Sequence, residues 1–473
     1  MDLNFFTMMK SELVLTGLIF IFMFAKLGSF ADNGKRLLML ANIVLIINFA
    51  AGFFMNKAGV LFSGMFYTND IIALEKNILN LALLLISFLS YDWLEKNKNA
   101  AEFYMLLLSA QLGMFFLLSS GNFLMFFLGM ELATIPLAAL TNFDLDRPRS
   151  SEAGFKMIMS SAFASAIMLF GISLLYGTTG TLDFSEMHSQ ISMSHLQVLA
   201  FVFVFVGMAF KLSLVPFHLW TADVYEGSPV SITASLAVIS KGAFIFVFMS
   251  TLFTVFSNFF MAWDKMVMIS IMVTITIGNF QAVRQSNLKR LLAFSSISQV
   301  GYLLLGVIAF SSMGASSVVY FMLIYVFSSL AMFAVVSQVV NQTGKEEISE
   351  YRGFYQNNKL LSWVIALALF SLAGIPPTAG FFGKYFLLTA GAAKGDYVLL
   401  SVAILNMVIS LYYYLRVIRA VFIDKGEDGP VERIKVSPMV GISIVVCIAG
   451  ILAIGFAGEI FEFISSHFTA AQQ

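Results

Sequence analysis

Apolar runs of about 18 to 22 residues, separated by short polar stretches, recur from one end of this chain to the other. Each run is long enough to cross a hydrocarbon core of about 30 Å as a helix. The pattern predicts about fourteen spans, near 11–28, 37–54, 71–90, 103–119, 121–141, 155–176, 196–219, 230–254, 265–281, 291–310, 315–340, 360–390, 397–421 and 438–463. No stretch between them is long enough for a water-soluble domain. The fold class is therefore all-α, polytopic and membrane-spanning.

Two spans depart from this pattern. The seventh lies in GMAFKLSLVPFHLWTADVYEGSP, Gly207 to Pro229, where Lys211 sits inside an apolar helix and Pro216 interrupts it before an acidic turn carrying Asp223 and Glu226. The twelfth is about ten residues longer than a span needs and contains Gly374-Ile375-Pro376-Pro377-Thr378-Ala379-Gly380. Consecutive prolines remove backbone donors and clash with the preceding turn, so this helix is expected to break rather than bend. Broken helices in corresponding positions of two halves point to an inverted-repeat transporter with a site near the bilayer midplane. The plainer reading is two prolines that kink long helices.

Composition agrees with the pattern: 59% of the 473 residues are apolar and 11% charged, with a mean hydropathy of +0.88. With 27 basic and 27 acidic residues the formal net charge is zero, which offers nothing to nucleic acid or to an acidic substrate. The single Cys447 excludes disulfides within the chain, thiolate-held iron–sulfur clusters and a paired-cysteine redox motif. No small-residue cleavage site follows Leu13 to Leu27, so that run is read as a retained span. Basic residues crowd alternate loops, among them Lys35, Arg36, Arg147, Arg149, Arg284, Lys289, Arg290, Arg352, Arg416 and Arg419, whereas the other side has Lys10, Lys57, Lys265 and Lys394. The positive-inside rule makes the first set cytoplasmic and puts both termini outside.

Few ionisable groups remain inside spans, and intramembrane charge by default marks an ion or proton pathway. At about 1.5 Å per residue, Glu131 lies roughly 15 Å deep, Lys211 about 13 Å and Lys241 about 17 Å, while Lys384 is about 10 Å from the outer surface. Burial disfavours an ammonium and a nearby carboxylate favours it, so a lysine whose distance to a carboxylate changes can load or release a proton. Glu131 is the expected electrostatic partner of Lys211; the alternative is a static ion pair that fixes helix packing. Lys156, shallower in its span, either snorkels to the interface or joins the pathway. His218 either relays protons from the cytoplasm toward Lys211 or bonds backbone freed by Pro216. Ser295, Ser296, Ser298, Gln299 and Tyr302 fall within three turns of the tenth span and suit a water wire or ordinary interhelical glue. Glu75 and Lys76 are read as interfacial, and Tyr412, Tyr413 and Tyr414 as an aromatic belt. Gly383-Lys384-Tyr385 lacks the glycine and hydroxyl residue of a phosphate loop, and no dinucleotide, paired-histidine metal or haem-ligand motif is present.

Four stretches carry a family resemblance: FLGMELATIPLAAL around Glu131, FKLSLVPFHLWTADVYEGSPVSITASLAVISKGA from Phe210 to Ala243, RLLAFSSISQVGYLLLG from Arg290 to Gly306, and SLAGIPPTAGFFGKYFLL with NMVISLYYYLRVIRAVF between Ser371 and Phe422. Together with the matching helix spacing they cover about residues 100–422 and resemble the antiporter-like membrane subunits of proton-pumping NADH-quinone oxidoreductase, respiratory complex I. A lysine rather than a glutamate at Lys384, and the short segment after the last span, place the resemblance nearest the N branch. The resemblance implies fourteen helices with two inverted five-helix repeats and discontinuous helices seven and twelve. The division would be three helices in 1–100, the repeats in 101–254 and 255–424, and a last helix in 425–473. It also implies that Glu131, Lys211, Lys241 and Lys384 are proton-pathway positions, joined by Lys156. Ala222 and Ser231 stand where the family usually has proline, and Ala138 where it has tyrosine; these touch the entry turn and leave the charges in place.

The implied function is proton translocation driven by quinone reduction elsewhere in a complex. This chain is expected to hold no cofactor and no metal, with NADH, FMN, iron–sulfur clusters and quinone in partner subunits. The expected partners are the neighbouring antiporter-like and small membrane-arm subunits and the lipid bilayer, with no nucleic acid. The implied location is the bacterial inner (cytoplasmic) membrane. The competing readings are a subunit of a monovalent cation/proton antiporter and a non-conducting structural segment.

Overall fold

In hydrocarbon every backbone polar group must find a partner within the protein, so long apolar runs have little choice but to become helices. The computed structural model describes residues 3–28, 34–54, 56–426 and 431–470. Short α1 (Leu3–Met8) leads to α2 (Lys10–Leu27) and α3 (Gly34–Ala51). An antiparallel hairpin, β1 (Gly59–Leu61) and β2 (Phe66–Thr68), pairs Gly59 with Thr68 and precedes α4 (Asp70–Glu95), α5 (Ala100–Leu118), α6 (Phe123–Thr141) and α7 (Pro148–Thr179). A surface helix α8 (Phe184–Gln190) separates α7 from α9 (His195–Leu212), which is followed by the short α10 (Leu219–Gly227). One element then runs through α11 (Val230–Ser235), a π turn at Leu236–Ser240 and α12 (Lys241–Thr254). It is followed by α13 (Phe260–Val283), α14 (Leu288–Ile308) and α15 (Ser312–Thr343). The chain closes with α16 (Phe354–Asn357), α17 (Lys359–Ala373), α18 (Ala379–Ala392), α19 (Tyr397–Phe422), α20 (Pro438–Phe456) and α21 (Glu459–Ala470).

Among the described residues, eleven helices are long and apolar enough to cross a membrane, and α17 is a shorter apolar one. Their starts carry the polar residues expected of N-caps: Asn69, Asn122, Asn287 and Ser311 each accept a backbone N–H from the first turn of α4, α6, α14 and α15. Helices α14 and α15 lie in the middle, almost wholly buried, with α4 and the α11–α12 element around them. By contrast α7, α13, α19 and α20 present apolar side chains such as Phe163, Phe170, Phe280, Val408 and Val445 outward, as a lipid-facing surface requires.

Both anomalous spans are broken, and they break in the same way. Helix α9 ends at Ser213 with φ of 61°, and the Leu214 N–H turns back to the Ala209 carbonyl. Helix α17 ends at Gly374 with φ of 85°, and the Ile375 N–H turns back to the Phe370 carbonyl. This six-to-one bond with a left-handed residue is the Schellman ending, which satisfies carbonyls that the helix abandons. Glycine meets the conformational demand at 374 without cost, whereas Ser213 tolerates it with its hydroxyl accepting a bond from Thr221. The expected twelfth span at 360–390 is thus two helices. The last span ends at Phe456 rather than 463, because the chain turns at Gly458 into the separate helix α21.

At the start of α18 the chain crosses the end of α17 so closely that a Cβ on Gly380 would lie 1.7 Å from the Ser371 carbonyl oxygen. Backbone cannot yield as a side-chain tip can. Gly380→Ala is expected to cost about 1–3 kcal/mol through overpacking and to lower the thermal unfolding midpoint of the detergent-solubilised protein by several degrees. An unchanged midpoint would refute the need for this close approach.

Candidate functional site

The breaks matter because they uncover polar backbone and hydroxyl groups where lysines are buried. Lys211, on the last turn of α9, donates from Nζ to Thr134 Oγ1 on α6 at 2.8 Å and to Ser161 Oγ on α7 at 2.7 Å. Lys241 follows the π turn and donates to Ser296 Oγ on α14 at 2.7 Å, with the Tyr225 ring 5.6 Å away. A π turn displaces one residue from the ordinary ladder and is common where a helix carries function. Lys384, on α18, donates to the carbonyls of Leu372 and Ala373 at 2.8 and 3.2 Å, and the Tyr302 ring centroid lies 4.8 Å from Nζ. Those two carbonyls are orphans of the broken α17, at the negative end of its dipole, so the break solvates the ammonium in place of water.

Each lysine is nearly inaccessible, at 6, 2 and 1% exposed for Lys211, Lys241 and Lys384. At that depth an ammonium without partners would cost several kcal/mol, so these contacts decide whether the charged form is tolerated at all. Glu131 does not ion-pair directly with Lys211. It lies on the half-buried edge of α6 beside the exposed Leu128 and Ile135, and its Oε1 is buried without a hydrogen-bond partner. The carboxylate remains close enough for its charge to act on Lys211.

The serines and glutamine of the tenth span join these stations. Gln299 Nε2 donates to the Leu372 carbonyl at 3.0 Å, the same oxygen that receives Lys384, and to the Tyr414 hydroxyl at 3.1 Å. Tyr414 in turn bonds Ser295, the neighbour of the Ser296 that holds Lys241. The hydrogen-bonded chain from Lys384 runs through the Leu372 carbonyl, Gln299 and Tyr414 and ends at Ser295, one residue before the Ser296 that holds Lys241. Tyr412 is exposed and fits an aromatic belt, but Tyr413 and Tyr414 are fully buried, and Tyr413 bonds Asn279 at 3.1 Å. The belt expectation fails for these two because α19 turns that face toward α13 and α14. His218 stands at the α9–α10 break, bonded to the Pro216 backbone, with Nδ1 unpartnered and close enough to feel the charge of Lys241.

Lys156 belongs to a different feature. Its Nζ is shared between Glu152 and Asp223 at 2.6 Å each, and Arg290 Nη1 reaches Asp223 at 2.6 Å and Glu226 at 2.9 Å. This partly exposed network ties α10 to α7 and α14 just beyond the α9 break. Partial burial raises the cost of charging Asp223, yet hydrogen bonds from Lys156 and Arg290 outweigh it and hold its pKa below the ordinary carboxylate value.

Four groups escaped the sequence reading. Thr134 and Ser161 give no signal of their own beyond lying on the spans next to Lys211. Lys289, assigned to a loop, is instead buried at 2% exposure and held by Glu346 at 3.1 Å. Lys76, read as interfacial together with Glu75, is buried and ion-paired with Glu12 of α2. Both corrections have one cause: a carboxylate from a distant part of the chain compensates the charge, and sequence does not show which distant carboxylate that is.

The Asp223 network yields a pH prediction. A carboxylate whose folded pKa is depressed contributes stability above its unfolded pKa and loses it as pH falls through the folded value. Asp223→Asn should lower the thermal midpoint at neutral pH, and the difference from the parent should shrink as pH drops below about 4. A difference that stays constant down to about pH 3 would refute the ionic origin.

The chain matches the family described as NADH:quinone oxidoreductase/Mrp antiporter, TM, over residues 120–410. It is 44% identical over 471 residues to NADH-quinone oxidoreductase subunit N of Phocaeicola vulgatus, covering 98% of this chain and 99% of the relative. It is 45% identical over 428 residues to the protein of the same name from Azobacteroides pseudotrichonymphae, covering 90% and 89%. Its structure resembles a chain of respiratory complex I from Thermus thermophilus with bound aureothin, with a TM-score of 0.81, 28% identity and coverage of 94% and 96%. A chain of the Mrp complex from Dietzia sp. shares the fold, with a TM-score of 0.86, 19% identity and coverage of 98% and 97%.

Proposed function

The chain belongs to the subunit N family of NADH-quinone oxidoreductase, and on that premise we propose that it translocates protons as a membrane-arm subunit of such a complex. The supporting observation is the row of three buried lysines, each solvated by hydroxyls or by carbonyls freed at a break, with hydrogen-bonding side chains running from Lys384 to Ser295, the neighbour of the Ser296 that holds Lys241. Its partners are other membrane-arm subunits and the bilayer. NADH, FMN, iron–sulfur clusters and quinone belong to partner subunits of the complex.

In this reading Lys211, Lys241 and Lys384 are the stations that hold the proton, Glu131 is the charge that biases the first station, and His218 passes protons from the cytoplasm toward Lys211. Lys156 and Asp223 form the gate at the cytoplasmic mouth. A unit charge pair interacts by about 4 kcal/mol at 4 Å and about 2 kcal/mol at 8 Å at an effective dielectric near 20. A displacement of Glu131 by a few ångströms therefore changes the occupancy of the Lys211 proton more than tenfold. Quinone reduction elsewhere supplies that displacement.

The matched Schellman breaks support two inverted repeats, at 101–254 and 255–424, after three helices in 1–100 and before a last helix in 425–473. Adding α2, α3 and the α17–α18 pair to the eleven long apolar helices gives fourteen spans. The lysine and arginine asymmetry supports termini outside a bacterial inner membrane. A cation/proton antiporter subunit would share this fold, and the 19% likeness to the Mrp chain concerns fold alone.

Lys211→Ala and Glu131→Gln, each in the assembled complex in proteoliposomes, should cut NADH-driven proton pumping at least fivefold while the complex still assembles. Full pumping by both variants would overturn the reading. Sodium or potassium exchange for protons by the purified chain alone would favour the antiporter.

A further inference from the structure

The first helices carry a buried charge site outside the matched 120–410 segment. Glu12 on α2 and Lys76 on α4 are 2 and 4% exposed and form an ion pair, and Lys76 Nζ also donates to Ser119 Oγ at 2.6 Å. The rings of Phe66 and Phe115 lie 4.9 and 5.9 Å from the same ammonium, and Glu75 is buried next to it in sequence. An ion pair at this depth adds little stability over apolar residues of the same volume, so its presence calls for another reason.

A cavity of about 20 Å³ reaches this pair from the face that holds the β hairpin, lined by Lys10, Glu12, Asn56, Lys76, Asn77 and Asn80. Asn77 Oδ1 and Asn80 Nδ2 are buried there without hydrogen-bond partners, although Asn80 accepts from Asn48 at 2.9 Å. A cavity of this size holds a water when two or more polar groups converge on it, which is the situation here. Helix α4, which carries Lys76, also packs against the helix that carries Lys241. Leu79, less than one turn along α4 from Lys76, packs against Gly242, the residue after Lys241.

We propose that the Glu12–Lys76 pair and the hydrated cavity beside it form a proton-exchange site between the buried lysine row and the hairpin face of the protein. The proton leaves Lys76 Nζ for a cavity water, the electron pair stays on nitrogen, and the hydronium passes its proton to bulk solvent. Reloading reverses these steps, with the Glu12 carboxylate and the two rings stabilising the returning ammonium. This inference rests on the proton-translocation reading above, which places the hairpin face outside.

Two measurements on the assembled complex test it. Asn80→Cys leaves the ion pair intact, and the only native cysteine, Cys447, is buried. Silver ion, close to a water molecule in size and membrane-impermeant, added to the hairpin face should label the thiol introduced at position 80, read as protection from alkylation after unfolding. Leu83→Cys, at a wholly buried position on the next turn of α4, should stay unlabelled. The apolar double variant Glu12→Leu/Lys76→Met should assemble and lower the protons pumped per NADH at least twofold. Absence of labelling at position 80 overturns the proposal, as does normal pumping by the double variant. If the double variant fails to assemble, the labelling result decides. Lys211→Ala is measured in parallel: pumping lost there but intact in the double variant overturns only this inference, while intact pumping in both sinks the translocation reading itself.

Discussion

The constraint on which this structure depends is that hydrocarbon supplies no hydrogen bonds. A continuous helix satisfies its own backbone and has nothing to offer a buried ammonium. A broken helix has spare carbonyls, and in this fold the spare carbonyls of α17 become the solvation shell of Lys384. The break and the charge explain each other: the orphan carbonyls would be costly without a donor, and the lysine would be costly without acceptors.

The three lysines solve the same problem with different means. Lys211 uses hydroxyls from two neighbouring helices, Lys241 one hydroxyl next to a π turn, and Lys384 backbone carbonyls with an aromatic face. Neutral dipoles tolerate an ammonium and also tolerate its loss, because a hydroxyl that accepts from the ammonium can turn and donate to the neutral amine. Glu131, held off from Lys211, acts through the field instead, and that action is adjustable by distance. The fully ionic clusters lie elsewhere, at Lys156–Asp223–Arg290–Glu226, Lys289–Glu346 and Glu12–Lys76.

Helix α14 links the stations because its polar residues face inward on every side. Ser296 serves Lys241, Gln299 serves the Leu372 carbonyl, and Ser295 meets Tyr414. A helix buried all round has no lipid face on which to leave a polar side chain, so each must be answered by a neighbour.

Sequence alone determined the membrane class, the approximate spans, both breaks and three of the buried lysines. These features are local: an apolar run long enough to span, a proline or glycine pair that stops a helix, a charge with no loop within reach. It did not determine what each charge touches. Thr134 and Ser161 around Lys211, the orphan carbonyls under Lys384, the burial of Tyr413 and Tyr414, and the pairing of Glu12 with Lys76 all join helices far apart in the chain. Only the tertiary packing decides them, because a polar group in an apolar medium is defined by the partner brought to it, and that partner is chosen by how helices pack.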